Sequence, residues 1–122
     1  RAIIEGICFG TRTILDSFKN GGYTSNEMTV GGGATASRLW MQIHADTAGI
    51  PVRIPASTDA PSMGSAILAA HGAGYFASID EGIDVMVKPG IMIEPDPAAM
   101  AAYDGVYEQY RALYLALKQI RG

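Results

Sequence analysis

The amino-acid sequence predicts an α/β fold that is rich in helix and has a few short strands. Apolar residues recur at helical spacing in several segments, and short β-prone segments lie between them. Glycine or proline marks most of the junctions. Because helices and strands alternate, we expect the extended segments at residues 28–30 and 52–54 to pair in parallel.

The elements are predicted in a simple order along the chain. Helices are expected at about residues 1–19, 36–48, 62–74 and 79–87, and from Pro97 onward, with a third extended segment at 91–94. Gly21 and Gly22 are placed to end the first helix. Pro97 suits the first position of the last helix, because that position needs no backbone N–H.

The last helix carries the cleanest amphipathic pattern. Its stripe consists of tyrosine and aliphatic residues: Tyr103, Val106, Tyr107, Tyr110, Leu113, Tyr114, Leu117 and Ile120. A row of ligand-binding tyrosines is one interpretation, but a helix face packed against the core is the more typical one. Leu113 is therefore expected to be a core side chain.

Length and composition exclude several classes of protein. The 122 residues suffice for one domain or part of one, and the net charge of −3 gives no basic surface for nucleic acid. No apolar run reaches the length of a membrane span. The single cysteine, Cys8, rules out an internal disulfide framework, suits the cytoplasm and is expected to be a buried, inert thiol. Because the sequence starts at Arg1 with a helical pattern that no capping residue precedes, we expect the chain to be part of a longer protein.

The most informative segment is Met28–Ser37, in which a short strand precedes three glycines and a helix. Glycines let the backbone turn sharply and let another molecule approach it closely, and Gly33 is expected to need this freedom. A helix N-terminus behind such a turn offers N–H groups to an anion of the size of a phosphate. Glycine turns also occur where two elements simply pack closely, so the turn by itself leaves both interpretations open.

No catalytic centre is visible in the sequence. His44, expected on a helix flank, and His71, expected near a helix end, lack partners at the spacing of a zinc site. Neither a phosphate-binding Gly-x-x-x-x-Gly-Lys motif nor a Gly-x-Ser-x-Gly nucleophile motif occurs. The aspartates are scattered, and none of them is identified as a catalytic base.

A dinucleotide-binding fold of an oxidoreductase is the second interpretation. Residues Gly31–Ala36 satisfy the form G-x-G-x-x-G/A, and Arg53 is placed to contact a 2′-phosphate. That fold requires an acidic residue at the end of the second strand, whereas this strand ends at Pro55. The glycines also follow a long helix rather than an opening strand, so this interpretation ranks second.

An ordered set of motifs resembles the C-terminal domain of the FGGY carbohydrate kinases. The set consists of short runs spread over nearly the whole chain: Gly31–Ala34, Ser37, Leu39-Trp40, Gln42, Ala45-Asp46, Gly49–Val52, Pro55, Ala60–Ala70, Gly72, Gly74-Tyr75 and the tyrosines at 103, 107 and 110. The resemblance implies a ribonuclease-H-like half-domain of the actin-like ATPase superfamily. It also implies ATP and Mg²⁺ as the parent enzyme's cofactors.

The same resemblance implies roles for individual residues. Gly31, Gly32, Gly33 and Ala34 look like the turn that holds the α-phosphate and adenosine, and Ser37 takes the place of a residue near the adenine. The family's catalytic aspartate and sugar-binding domain have no counterpart in this sequence. The chain alone is therefore expected to be inactive, and no catalytic residue is assigned.

The partners implied are the N-terminal domain of the same kinase and a small sugar or polyol, and a homodimer is left open. Asp59 stands where many relatives carry Glu, a variant closer to ribulokinase-like and polyol kinases. Gly64 and Ala66 look like part of a closely packed helix behind the cleft.

Overall fold

The computed structural model describes residues 1–57 and 59–121, without the side chains at 115 and 118–121. Its elements follow the predicted order: α1 Ala2–Asn20, β1 Met28–Thr29, a 3₁₀ turn Gly33–Ala36, α2 Arg38–Ala48, β2 Val52–Ile54, α3 Ala60–Gly72, α4 Ile79–Met86, β3 Ile91–Ile93 and α5 Pro97–Arg121. None of the helices in the described ranges is long and apolar enough to cross a membrane. The expected helix-rich α/β architecture is therefore confirmed.

The three strands form one sheet in the order β1-β2-β3. β1 pairs with β2 in parallel, as predicted, with Met28 opposite Val52. β3 pairs with β2 in the antiparallel sense, with Ile54 opposite Ile91. β2 is thus the central strand, and Val52 and Ile54 are buried while Arg53 between them is partly exposed. This alternation is what a strand with one covered face requires.

The main helical core lies between α1, α2 and α5. Phe9 of α1 packs against three tyrosine rings of α5, with centroids 6.0, 5.7 and 5.5 Å away: Tyr103, Tyr107 and Tyr110. Tyr107 is only 2% exposed, and its hydroxyl donates to Asp16 at 2.7 Å. The packed helix face predicted for α5 is confirmed over this part of the stripe.

The second half of α5 differs from the prediction. Leu113 is 58% exposed and Tyr114 is 63% exposed, so the expectation that Leu113 is a core side chain is wrong. Val106, at the edge of the stripe, is also 43% exposed, and Leu117 is 50% exposed, because the described elements cover mainly the face with Tyr103, Tyr107 and Tyr110. A periodic pattern alone does not say how far its partner extends. The side chain of Ile120 lies outside the described residues.

Cys8 is fully buried in this core, as expected. Burial raises the pKa of its thiol to about 11, because desolvation disfavours the thiolate. Since the thiolate is the nucleophilic form, the thiol is chemically inert near neutral pH. Its neighbour Ile7, by contrast, is exposed.

His44 is more deeply buried than the expected position on a helix flank suggests. It is 8% exposed, and its Nδ1 has no hydrogen-bond partner among the described residues. Burial lowers the pKa of its imidazole, since a charged ring would be desolvated there. His71 lies one residue before the end of α3, as expected.

Two residues of the family-like motifs join α2 to the start of α5. The Gln42 side-chain amide donates to the Asp46 carboxylate at 2.8 Å and to the Glu94 carbonyl at 2.9 Å. The same Asp46 oxygen accepts from the backbone N–H of Asp96 at 2.8 Å. Asp46 is nearly buried, so these bonds satisfy a carboxylate that would otherwise be costly to desolvate. The role of this pair is therefore structural.

Candidate nucleotide site

The glycine turn begins where β1 leaves the sheet. The N–H of Val30 still donates to the carbonyl of Arg53 at 2.9 Å. Gly32 then has φ 86° and ψ −174°, a region that residues with a Cβ essentially never adopt. Thr35 stabilises the turn, because its N–H and its hydroxyl both donate to the Gly32 carbonyl, at 3.1 and 2.7 Å.

The position that requires glycine is Gly32 and not Gly33. A Cβ added at Gly33 would meet nothing within 4 Å, and the φ of Gly33 lies outside the left-handed region. The expectation that the backbone conformation at Gly33 needs glycine is therefore wrong, whereas the expected close approach of a nucleotide to Gly33 stays a prediction. Three adjacent glycines look alike in a sequence, and only the backbone path distinguishes the one that turns.

A short 3₁₀ segment separates the glycines from the following α-helix. It covers Gly33–Ala36, and α2 begins at Arg38, two residues later than predicted. Within the described ranges, no backbone carbonyl accepts a hydrogen bond from the N–H of Gly33 or of Ala34. Backbone donors at the start of a 3₁₀ or α-helical segment are available to an anion beside the turn.

Ser37 acts as the N-cap of α2. Its hydroxyl oxygen accepts from the backbone N–H of Trp40 at 3.3 Å, and its carbonyl accepts from Met41 at 3.1 Å. A capping serine is a strong preference of helix N-termini, so this contact explains the residue without a ligand. The family-like role of Ser37 near an adenine stays a prediction.

An open cleft of about 720 Å³ lies beside the turn. Gly32 and Gly33 form one side together with Thr35 and Ala36, whereas Gly31, Ala34 and Ser37 are not among its lining residues. The other side is formed by the end of β2, the start of α3 and the start of β3: Ile54, Pro55, Ala56, Asp59, Pro61 and Ile91. The structure thus brings part of the predicted turn to a cavity.

The residues of the far wall were not predicted from the sequence, and Gly64 and Ala66, expected in a closely packed helix behind the cleft, are exposed and do not line it. Asp59 caps α3, since its carboxylate accepts from the backbone N–H of Ser62 at 3.2 Å. This cap starts α3 at Ala60, two residues before the predicted start. The prolines at 55 and 61 were the available signal, because they confine the segment between strand and helix.

Arg53 is held by an ion pair and not directed toward a ligand. Its guanidinium donates twice to the Glu27 carboxylate, at 2.9 and 2.7 Å. The pair lowers the pKa of Glu27 and raises that of Arg53. The predicted contact of Arg53 with a 2′-phosphate would have to replace this bidentate partner.

Comparison with known proteins identifies the family. Residues 1–73 match the C-terminal domain of the FGGY family of carbohydrate kinases. The chain is 33% identical to a xylulose kinase of Staphylococcus epidermidis over 120 residues, which is 98% of this chain and 24% of that protein. It is 35% identical to a ribulokinase of Mycolicibacterium smegmatis over 115 residues, which is 93% of this chain and 20% of that protein.

A solved structure gives the same result for the fold. The crystal structure of xylulose kinase from Rhodospirillum rubrum matches with a TM-score of 0.81 and 32% identity, over 98% of this chain and 24% of that one. The chain spans only about a fifth to a quarter of the length of the curated relatives it matches. The matches confirm the expected fold and favour the kinase interpretation over the dinucleotide-binding one. The chain belongs to the FGGY family of carbohydrate kinases, in the region of its C-terminal domain.

Proposed function

We propose that this chain forms the ATP-binding part of a cytoplasmic carbohydrate kinase, which transfers the γ-phosphoryl group of ATP to a hydroxyl of a sugar. The observation that carries the proposal is the glycine turn beside the cleft: Gly32 and Gly33 form its wall. The N–H groups of Gly33 and Ala34 have no backbone acceptor among the residues described. Backbone donors without partners at such a turn suit a phosphate group.

The proposed site consists of the five residues that the family resemblance selects. Gly31, Gly32, Gly33 and Ala34 approach the phosphates and the adenosine, and Ser37 lies at the adenine end. Phosphoryl transfer depends mainly on positioning and on stabilisation of charge, so a rigid backbone turn is a suitable device. We assign no catalytic residue to this chain, because the base that activates the sugar hydroxyl belongs to the N-terminal part of such kinases.

The proposed partners follow from the relatives. A pentulose is the first choice of substrate, because the relatives named above are a xylulose kinase and a ribulokinase, and a polyol is the second. The N-terminal domain of the same kinase would close over the nucleotide and exclude water. The option of a homodimer is tested by the mass of the full-length kinase in solution.

The Mg²⁺ that the family resemblance implies would bind mainly through the ATP phosphates and water, because Mg²⁺ in nucleotide sites usually takes only one or two carboxylates from the protein. Across residues 1–57 and 59–121, no three His, Cys, Asp or Glu side chains come together where they could hold a metal ion.

The proposal is tested by titrating the ¹⁵N-labelled chain with ATP and, separately, with NADP. We expect ATP to shift the amide signals of residues 31–37 with weak affinity, because the opposing domain's contacts are missing. NADP should shift them no better, and Arg53 should be unaffected. Tighter binding of NADP than of ATP, with a shift at Arg53, would support the dinucleotide-binding alternative instead.

A further inference from the structure

Gly90, just before β3, lies against backbone where no side chain fits. A Cβ at this position would overlap the carbonyl oxygen of Ile54. It would also lie 2.6 Å from the carbonyl carbon of Pro55 and 2.7 Å from the amide nitrogen of Ala56. All three contacts are with backbone atoms, which cannot rotate away as the end of a side chain can. The glycine is therefore required by close approach and not by a left-handed φ.

The backbone that Gly90 touches is the far wall of the cleft. Ile54, Pro55 and Ala56 line the same cavity as the glycine turn. Ile54 is fixed in the sheet, because it pairs with Ile91, and Arg53 before it bonds to Val30 on the other side. Pro55 and Ala56 follow the strand and have no sheet partner. A side chain at position 90 would thus displace these two residues more readily than the strand.

We propose that Gly90 is a positioning residue that sets the width of the nucleotide cleft. It lets the segment before β3 lie directly against the wall, and so fixes the wall's distance from Gly32 and Gly33. Gly90 itself does not line the cavity, so it acts through Pro55 and Ala56. This inference rests on the proposed function, because it treats the cleft as the place where ATP binds.

The test compares Gly90→Ala with a matched glycine elsewhere. A Cβ at Gly82 in α4 would lie 2.8 Å from Ile67 Cγ2 and 3.1 Å from Phe76 Cδ2, and none of these three residues lines the cleft. Gly82→Ala therefore disturbs packing without moving the wall. Both variants are made in a stabilised background that carries Gly6→Ala and Gly105→Ala, so that a loss of stability does not unfold them. These helix-interior positions have open space for a Cβ, so the exchange is expected to raise Tm.

The measurements are the Kd for ATP, the Tm and the amide shifts of the ligand-free variants. Gly90→Ala should raise the Kd at least about tenfold and shift the amide of Ala56, because small displacements of binding groups weaken binding strongly. Gly82→Ala should lower the Tm but change the Kd less than about twofold, because the side chains that it contacts do not line the cleft.

Three results would overturn the inference. The first is an unchanged Kd for Gly90→Ala, and the second is an equal loss of affinity in both variants. The third is a Gly90→Ala chain that stays unfolded in the stabilised background, because the glycine would then be required for the whole fold and not for the cleft. If the unsubstituted chain binds no ATP, the proposed function fails. The amide shifts without ligand would still show whether the wall moves.

Discussion

The helical core and the nucleotide cleft differ in what fixes their shape. In the core, side chains fill the space, and Phe9 contacts three tyrosine rings of α5. At the cleft, the backbone sets the geometry, through the φ of 86° at Gly32 and the close approach of Gly90 to β2. A truncation in the core should therefore change stability, whereas an added Cβ at the cleft should change binding.

The same difference determines what each region tolerates. A close-packed core loses contacts when a large side chain is shortened, and the cavity that remains adds to the loss. A turn or a close backbone approach has no side chain to lose, and it fails when an atom is added. Three substitution experiments, from the largest expected effect on stability to the smallest, test this contrast.

Tyr107→Ala should have the largest effect on stability. Tyr107 is 2% exposed, packs on Phe9 and bonds to Asp16. Removal of a buried aromatic ring is expected to lower the free energy of unfolding by about 3–5 kcal/mol, as measured by denaturant titration. Tyr114→Ala is the control, because Tyr114 is 63% exposed and should change stability by only about 0.5 kcal/mol. A similar loss for both tyrosines would show that the core does not end at Tyr110.

Gly32→Ala should have an intermediate effect on stability and a large one on ATP binding. Alanine rarely adopts the backbone conformation of Gly32, so the substitution should strain the folded state by about 1–3 kcal/mol. Gly33→Ala is the matched control: its Cβ has open space, so stability should stay within about 0.5 kcal/mol. Calorimetric ATP titration of both variants provides the second readout. Equal stability losses would contradict the assignment of the turn to Gly32.

The buried His44 should give the smallest effect, seen as a dependence of Tm on pH. Its pKa is lowered in the folded chain, so the unfolded chain binds more protons below the ordinary value of about 6.5. Stability should be unaffected above that pH and should fall as the pH drops below about 6.5. Two carboxylates with lowered pKa values, those of Glu5 and Glu27, affect stability only at lower pH, near and below the ordinary pKa of a carboxylate.

The control variants for this slope of Tm against pH are His44→Gln and His71→Gln. The first should flatten the change of Tm between pH 7 and pH 5, because it removes the buried imidazole. The second keeps the buried imidazole of His44 and removes a histidine near the end of α3, so it controls for the substitution itself. An unchanged slope in His44→Gln would show that another group causes the dependence.

The sequence predicted the helices because their signals are local, and it predicted the parallel pair of strands because a helix connects them. Periodic apolar residues, glycine at helix ends and proline at position 97 act within a few residues. The exposed end of α5 was missed, because burial at Leu113 depends on how far α1 and α2 extend. The antiparallel pairing of β3 was also not predicted, because it joins segments that lie far apart in the chain.

The candidate site was predicted only in part for the same reason. The glycine turn was found from its composition, but the choice between Gly32 and Gly33 depends on the backbone path. The far wall combines the end of β2, the start of β3 and the start of α3, which no local motif connects. Gly90 shows this clearly, since a single glycine before a strand gives no sign of the close approach that it permits.

One measurement tests most directly whether the cleft is where ATP binds. The chain has a second cavity, of about 270 Å³ between α1 and α5, whose lining includes Tyr110, Arg111 and Tyr114. Aromatic rings and a guanidinium group also suit a nucleotide, so this cavity is the natural competitor. Mn²⁺·ATP can distinguish the two, because the paramagnetic ion travels with the phosphates and broadens nearby amide signals of the ¹⁵N-labelled chain.

We expect Mn²⁺·ATP to broaden the signals of residues 32–36 and Ala56 first, while Mn²⁺ alone at the same concentration leaves them sharp. The signals of Thr13 and Arg111, beside the second cavity, should be unaffected. Broadening at Thr13 and Arg111 with no effect at residues 32–36 would contradict the account, because the glycine turn would then be a packing device and not a nucleotide site.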